Sequence, residues 1–242
     1  MKTDLNLSML SQPDDTTCGP TCLQAVYGYF GDHVGLDEII GEVSTLDSGG
    51  TLAVYLACHA LRRGYSVSIF TYNLHFFDPT WFALDSHALH AKLLAQASLK
   101  RGDPRLHAAA RGYIDFLKLG GRLRFEDLSR SLIRKYLRRA LPIITGLSST
   151  YLYRSMREYG PHCQDDDLRG EPTGHFVVLS GYDREERSVL IADPYRKNPV
   201  SADHHYEVHI DRVISAILLG VLTHDANFLI IQPPRPGKKA PC

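Results

Sequence analysis

The chain has 242 residues, of which 44% are hydrophobic and 22% charged, and its 27 basic residues balance its 27 acidic ones. This composition excludes a disordered chain, a collagen and a coiled coil, and it is typical of a globular domain large enough to bury a core without disulfides or metals. Because there is no net positive charge, we expect no nucleic-acid partner.

No apolar run is long enough to span a membrane, and the first residues lack the apolar segment of a signal peptide. We therefore expect no membrane span and a cytoplasmic location. In that reducing compartment, the five cysteines are predicted to be free thiols and not a disulfide framework. The question is then whether one of them is a nucleophile.

The first half of the chain has mainly helical periodicity, and the second half has mainly strand patterns. Helices are predicted over 18–30, 37–43, 52–63, 86–119 (as two helices broken near 102–104), 125–139 and 211–219. Strands are predicted over 65–70, 141–146, 175–182, 188–193, 206–210 and 227–232. Helices that precede strands in this way predict the α+β class.

Charge is distributed unevenly along the chain. Residues 1–50 have a net charge of −7, whereas residues 100–139 have a net charge of +8. The ordinary interpretation of the basic region is a solvated helical face. The alternative is a docking surface for an acidic partner, or for the acidic N-terminal segment itself.

The most informative segment lies at the start of the first predicted helix. A polar loop delivers Cys18 to the first helical turn, where the positive end of the helix dipole favours a thiolate. Gly19 is expected to keep bulk away from the sulfur. Gln12 lies six residues before Cys18, so its side-chain amide and the Cys18 backbone N–H are predicted to form an oxyanion hole.

A thiolate nucleophile needs an imidazole, and the imidazole needs an acceptor that orients it. His175 begins one strand of a predicted hairpin, and Asp193 ends the other, with the charged turn 183–187 between them. Both residues should therefore lie near the open end of the hairpin. Asp193 is predicted to accept from one ring nitrogen of His175 while the other nitrogen faces Cys18.

Other chemistry has weaker support in the sequence. Phosphate-binding loops, dinucleotide-binding glycine patterns and the G-x-S-x-G elbow are absent from the sequence. The histidine pairs at 87/90 and 205/209 and the acidic run 165–167 do not make up a metal-ligand pattern. We therefore predict neither a cofactor nor a metal.

The order Gln12, Cys18-Gly19, then Gly174-His175-Phe176-Val177-Val178-Leu179, then Ala192-Asp193-Pro194 resembles papain-like cysteine peptidases. It is most similar to the C39 family, which cleaves bacteriocin leader peptides, and to its stand-alone C39-like relatives. This resemblance implies a papain-like fold, in which a cysteine at a helix N-terminus packs on an antiparallel sheet. It also implies one peptidase domain over 1–232, with a helical insertion at about 71–125 that adds no catalytic group. The tail 233–242 is predicted to be disordered.

The predicted activity is hydrolysis of a peptide or amide substrate through Cys18, His175, Asp193 and Gln12, with a thioester intermediate. One alternative uses the same residues in an amidase, transglutaminase or acyltransferase. A second alternative is a peptide-binding module without catalysis. A pure binder has no need of the complete set of residues, which argues against the second alternative.

Overall fold

The structure, a computed structural model, describes residues 2–47 and 49–234. The predicted tail therefore lies outside the described residues except for its first two prolines. In the described part, no helix is both long enough and apolar enough to cross a bilayer.

Eight α-helices are present in the described residues. They are α1 (Cys18–Tyr29), α2 (Leu36–Glu42), α3 (Ala53–Arg62), α4 (Ser86–Leu99), α5 (Pro104–Lys118), α6 (Arg130–Leu137), α7 (Ser149–Tyr153) and α8 (Ile210–Leu219). Most agree with the predicted spans, and the predicted break near 102–104 separates α4 from α5. The helix predicted over 125–139 begins only at Arg130, because the Ser129 side chain accepts from Leu132 N and caps it.

Ten strands are present in the same residues. They are β1 (Lys2–Asp4), β2 (Ser66–Thr71), β3 (Arg122–Arg124), β4 (Ile143–Ser148), β5 (Glu158–Tyr159), β6 (Gln164–Asp165), β7 (Gly174–Asp183), β8 (Ser188–Ala192), β9 (His205–His209) and β10 (Asn227–Gln232). Eight of them form one sheet in the order β3-β2-β10-β4-β7-β8-β9, with β1 on the far end of β7. Strands β5 and β6 form a separate hairpin. The large sheet is antiparallel except where β2 pairs with β3.

The sheet lies between two helical layers. Successive side chains of a strand point to opposite faces, so Phe176 and Val178 of β7 pack with α1, α3 and α5, whereas Val177 and Leu179 pack with α6, α7 and α8. Both faces of β7 are therefore buried, which explains its nearly continuous apolar sequence. The predicted α+β architecture, with the Cys18 helix packed on a mainly antiparallel sheet, is confirmed.

The segment predicted as an insertion contributes α4, α5 and β3. Helix α5 packs against α3, where Gly112 allows close approach because a Cβ there would lie 2.7 Å from Val54 Cγ1. Phe77 and Tyr113 also meet edge to face, with ring centroids 4.7 Å apart. These residues enlarge the helical layer on the Cys18 side of the sheet. Whether the segment is an insertion stays a prediction.

Candidate active site

Cys18 is the first residue of α1, and it is partly exposed at the edge of a cleft. Backbone N–H groups in the first turn of a helix have no acceptor within the helix, so they point their positive ends toward this cleft. One turn further on, the buried Cys22 Sγ donates to Phe176 O at 3.3 Å. This contact ties α1 to β7 and sets the position of Cys18 relative to the neighbouring His175.

Gly19 is buried, and a Cβ there would lie 2.6 Å from Thr51 Cγ2 and 3.4 Å from Phe176 Cδ2. The missing side chain therefore lets the first turn of α1 pack closely on the sheet and on the segment before α3. That Gly19 also keeps bulk away from the Cys18 sulfur stays a prediction.

His175 and Asp193 meet as the hairpin predicted. His175 is the second residue of β7, Asp193 follows the last residue of β8, and the ring Nε2 lies 2.8 Å from Asp193 Oδ1. Both side chains are buried. Since Nε2 is engaged by the carboxylate, Nδ1 is the nitrogen left to face Cys18, and the imidazole does interact with the Cys18 thiol.

Two tyrosines that the sequence analysis did not identify complete the surroundings of Asp193. Tyr153 and Tyr206 each donate a hydroxyl to Asp193 Oδ2, at 2.7 and 2.6 Å, and Tyr195 N donates to Oδ1 at 2.8 Å. With His175, the carboxylate thus accepts four hydrogen bonds from described residues. The sequence could have indicated Tyr206, because it lies in the predicted strand that pairs with β8. Tyr153 could not be found in this way, because it lies in a short helix that the hydrophobic periodicity did not predict.

These contacts determine the charge of the pair. Burial by itself lowers the pKa of His175, but the Asp193 charge and hydrogen bond, together with the Cys18 thiol, outweigh it and raise that pKa to about 10. Burial by itself raises the pKa of Asp193, but His175 and the two tyrosine hydroxyls hold it below its usual value. The pair is therefore an imidazolium and a carboxylate at neutral pH.

Gln12 lies in the loop before α1, partly buried. Its backbone N–H donates to Pro194 O at 3.0 Å, which fixes this loop beside the residue that follows Asp193. Its side-chain Nε2 donates to Asp14 O at 2.8 Å. Its Oε1 is buried and has no hydrogen-bond partner among residues 2–47 and 49–234. The structure thus brings Gln12 to the neighbourhood of the pair, while its role in an oxyanion hole stays a prediction.

The cleft beside Cys18 and His175 has a volume of about 630 Å³. Its walls come from the loop before α1, the segment before α3, the β5–β6 region, the start of β7 and the turn between α8 and β10. Four carboxylates line it, on Asp15, Glu158, Glu171 and Asp225, together with the guanidinium of Arg105. The cleft is therefore acidic.

The other described cysteines differ from Cys18 in their surroundings. Burial raises the pKa of the Cys22 and Cys58 thiols, that of Cys58 to about 11, so both are protonated core residues. Cys163 is exposed on the β5–β6 hairpin and also lines the cleft. Cys242 lies outside the described residues. Among the described cysteines, Cys18 is the thiol that contacts an imidazole.

Part of the chain matches a known protein family. Residues 107–212 match the model of the Peptidase_C39 like family, a segment that includes His175 and Asp193 and begins inside the predicted insertion. No curated protein matches the chain in sequence.

Solved structures are similar to this chain at low sequence identity. A chain described as a C39-like peptidase from Bacillus anthracis superposes with a TM-score of 0.52 at 14% identity, covering 97% of this chain and 100% of that one. Xylellain, a cysteine protease from Xylella fastidiosa, gives a TM-score of 0.46 at 18% identity, covering 97% and 86%. The peptidase domain of Streptococcus ComA, a bifunctional ABC transporter, gives 0.43 at 14% identity, covering 94% and 99%.

Over residues 107–212 the chain is similar to the Peptidase_C39 like family, and its fold is similar to that of a solved C39-like peptidase.

Proposed function

We propose that this chain hydrolyses a peptide or amide bond through Cys18, His175 and Asp193, with a thioester intermediate. The observation that carries the proposal is the arrangement of His175, whose Nε2 is bound to Asp193 Oδ1 at 2.8 Å while its ring interacts with the Cys18 thiol. A nucleophile, a base that contacts it and an acceptor that orients the base are the three parts that acyl transfer requires.

In the first step, the Cys18 sulfur attacks the carbonyl carbon, and the carbonyl oxygen takes the negative charge. The His175 imidazolium, whose pKa is raised to about 10, supplies the proton that the leaving amine needs when the C–N bond breaks. The product is a thioester on Cys18 and a free amine. Burial of His175 against Asp193 keeps its ring from rotating between these events.

In the second step, water attacks the thioester carbon while His175, now neutral, accepts a proton from the water. The C–S bond breaks, the carboxylic acid leaves, and the thiolate and imidazolium are restored. Asp193 acts as a positioning residue in both steps, because its four hydrogen bonds hold it as a carboxylate that stabilises the imidazolium.

For the oxyanion, we propose two donors. The Cys18 backbone N–H is one, since it lies in the first turn of α1. The second is the Gln12 side-chain amide, which holds two N–H groups, of which one donates to Asp14 O. The backbone hydrogen bond from Gln12 to Pro194 O supports this role because it holds the loop beside the His175–Asp193 pair.

The test is intact-mass analysis of the protein with a peptide-based acylating probe, with and without an added primary amine. We expect one adduct on Cys18, absent from Cys18→Ala, and release of a free acid when water is the acceptor. Cys58→Ala is the matched control, because Cys58 is a buried thiol on α3 that does not line this cleft, and this variant should label normally. An adduct on another residue would contradict the proposal, and an amide product formed in preference to the acid would favour acyl transfer to amines.

A further inference from the structure

A second buried carboxylate, Asp225, lies close to His175 and takes no part in the chemistry above. It is in the turn between α8 and β10, only 7% exposed, and it lines the cleft that contains Cys18 and His175. Its Oδ1 has no hydrogen-bond partner in the described part of the chain. A buried carboxyl oxygen without a donor is costly, so its presence needs an explanation.

The protein makes room for this carboxyl group at two glycines of the sheet. A Cβ on Gly146 of β4 would lie 3.0 Å from Asp225 Oδ1 and 2.8 Å from its Cγ. A Cβ on Gly174, the residue before His175, would lie 3.3 Å from Asp225 Oδ2. The carboxyl group therefore rests on the backbone of two adjacent strands, one of which carries His175.

The turn that carries Asp225 is held in a fixed conformation. Asp225 N donates to Gly220 O at 3.0 Å, and the buried Asn73 side chain donates to His224 O at 3.0 Å. His224 and Ala226, on either side, both have left-handed backbone angles, with φ of 67° and 52°. Residues other than glycine seldom adopt this conformation. The chain thus keeps Asp225 facing the cleft at a conformational cost.

Charged and titratable groups around Asp225 include Arg105 and Tyr113 from α5, His175 from β7 and the adjacent His224. Burial raises the pKa of Asp225 to about 7, although Arg105 and His175 both act to lower it. The interactions with Arg105 and His175 therefore do not offset the free-energy cost of burying the carboxylate. The rest of the cleft adds more negative charge, from Asp15, Glu158 and Glu171.

We propose that Asp225 forms a specificity subsite beside His175 for a positively charged group of the substrate, an alkylammonium or a guanidinium. Such a group supplies the donor that Oδ1 lacks, and the acidic cleft attracts it. The proposal rests on the peptidase function for its substrate, but the subsite itself can be measured by binding. Both a lysine or arginine side chain and a free N-terminal amine have this chemistry.

The first arm of the test is cleavage of a peptide library, prepared with free and with acetylated N-termini. We expect wild-type protein to cleave peptides with lysine or arginine at one fixed position relative to the scissile bond. In Asp225→Asn, the preference for these residues over norleucine should fall by about tenfold or more, as expected when a charge-assisted hydrogen bond is lost. Preference for the free over the acetylated N-terminus would instead identify the terminal amine as the ligand.

Glu171→Gln is the matched control, because Glu171 lines the same cleft but is exposed to solvent. We expect it to change the same preference less than about twofold, since exposed charge pairs contribute little. An equal loss in both variants would show diffuse attraction and overturn the assignment to Asp225.

The second arm measures binding without catalysis. In a Cys18→Ala background, NMR titration should show that n-butylammonium or ethylguanidinium binds more tightly than n-butanol. Both cations should bind more tightly at pH 8 than at pH 6, because Asp225 ionises in this range. Adding Asp225→Asn should remove both differences. If the wild-type protein cleaves no peptide but the cations still bind in this way, the proposed function is wrong and the subsite is supported. Cleavage without basic preference, together with equal binding of cation and alcohol, would overturn the subsite.

Discussion

Asp193, just after β8, and Asp225, in the turn before β10, are two buried aspartates beside His175, and their surroundings differ completely. Asp193 accepts four hydrogen bonds from described residues, and its pKa is held below the usual value. Asp225 has an oxygen with no donor in the described structure, and burial raises its pKa to about 7. The difference teaches that the first carboxylate is part of the folded framework, whereas the second is suited to a group that residues 2–47 and 49–234 do not provide.

The largest effect should come from the residue that both aspartates approach. His175→Ala removes the proton donor and also the positive partner of the Cys18 thiolate. We expect turnover to fall by a factor on the order of 10⁴ or more, and alkylation of Cys18 by dilute iodoacetamide at pH 6 to slow in parallel. Peptide mapping measures the second effect. Unchanged labelling of Cys18 in a folded variant would show that His175 does not stabilise the thiolate.

Gln12→Ala should reduce turnover by about 10²–10³ through the oxyanion hole. Because the Gln12 side chain is not expected to stabilise the charged Cys18 sulfur, Cys18 should be alkylated at the wild-type rate. The backbone hydrogen bond to Pro194 O does not involve the side chain and should survive. If labelling slows as much as in His175→Ala, the residue acts on the nucleophile and the assigned role is incorrect.

Asp193→Asn should reduce kcat by about 10–100-fold with little change in KM, because Asp193 acts only through His175. The amide oxygen can still accept from His175, and the hydroxyls of Tyr153 and Tyr206 can rotate to accept from the new NH₂ group. The loss should therefore be milder than the roughly 10⁴-fold penalty known for a serine-protease triad. A loss larger than that of His175→Ala would reverse the roles assigned to the two residues.

Tyr206→Phe removes one of the four donors to Asp193 and should cost about 1 kcal/mol of stability. Turnover should fall only severalfold, because three hydrogen bonds remain. Acid unfolding gives a sharper measurement. A carboxyl with a lowered pKa stabilises the fold above its unfolded pKa and loses this contribution as pH falls, so Tyr206→Phe should begin to unfold at a higher pH than wild type. An identical acid transition would show that the hydroxyl does not support the carboxylate.

An effect of opposite sign is expected for the stability of Asp225→Asn. With a folded-state pKa of about 7 and an unfolded value of about 3.9, Asp225 makes the wild-type protein less stable as pH rises between these values. Above pH 7 the cost stays constant. Relative to wild type, the variant should therefore be more stable at pH 8 than at pH 4 by up to about 4 kcal/mol, since each pKa unit corresponds to about 1.4 kcal/mol. Denaturant unfolding at both pH values checks this, and a loss at pH 8 would mean that Asp225 already has a partner.

Much of the fold and part of the site could be predicted from local patterns. The hydrophobic periodicity predicted α1. The hairpin pattern predicted that His175 and Asp193 lie close together, because two paired strands and the turn between them are local in sequence. The start of α6 was misplaced by five residues, since a helix begins where a cap stabilises its first N–H groups, and the apolar stripe extends beyond that point. The close packing of Gly19 against Thr51 could not be predicted, because the two residues meet only in the folded chain.

What the sequence by itself determined is therefore a pattern: a cysteine at a helix N-terminus, a histidine and an aspartate on one hairpin, and a resemblance to a family that combines them. Only the tertiary structure decided the surroundings of the two carboxylates. Tyr153 donates to Asp193 although the two residues are 40 positions apart in the sequence. Asp225, in a turn that follows α8, packs against Gly146 and Gly174. Burial and the number of hydrogen-bond donors decide whether an aspartate is a fixed anion or an unsatisfied one, and both depend on segments that meet only when the whole sheet has formed.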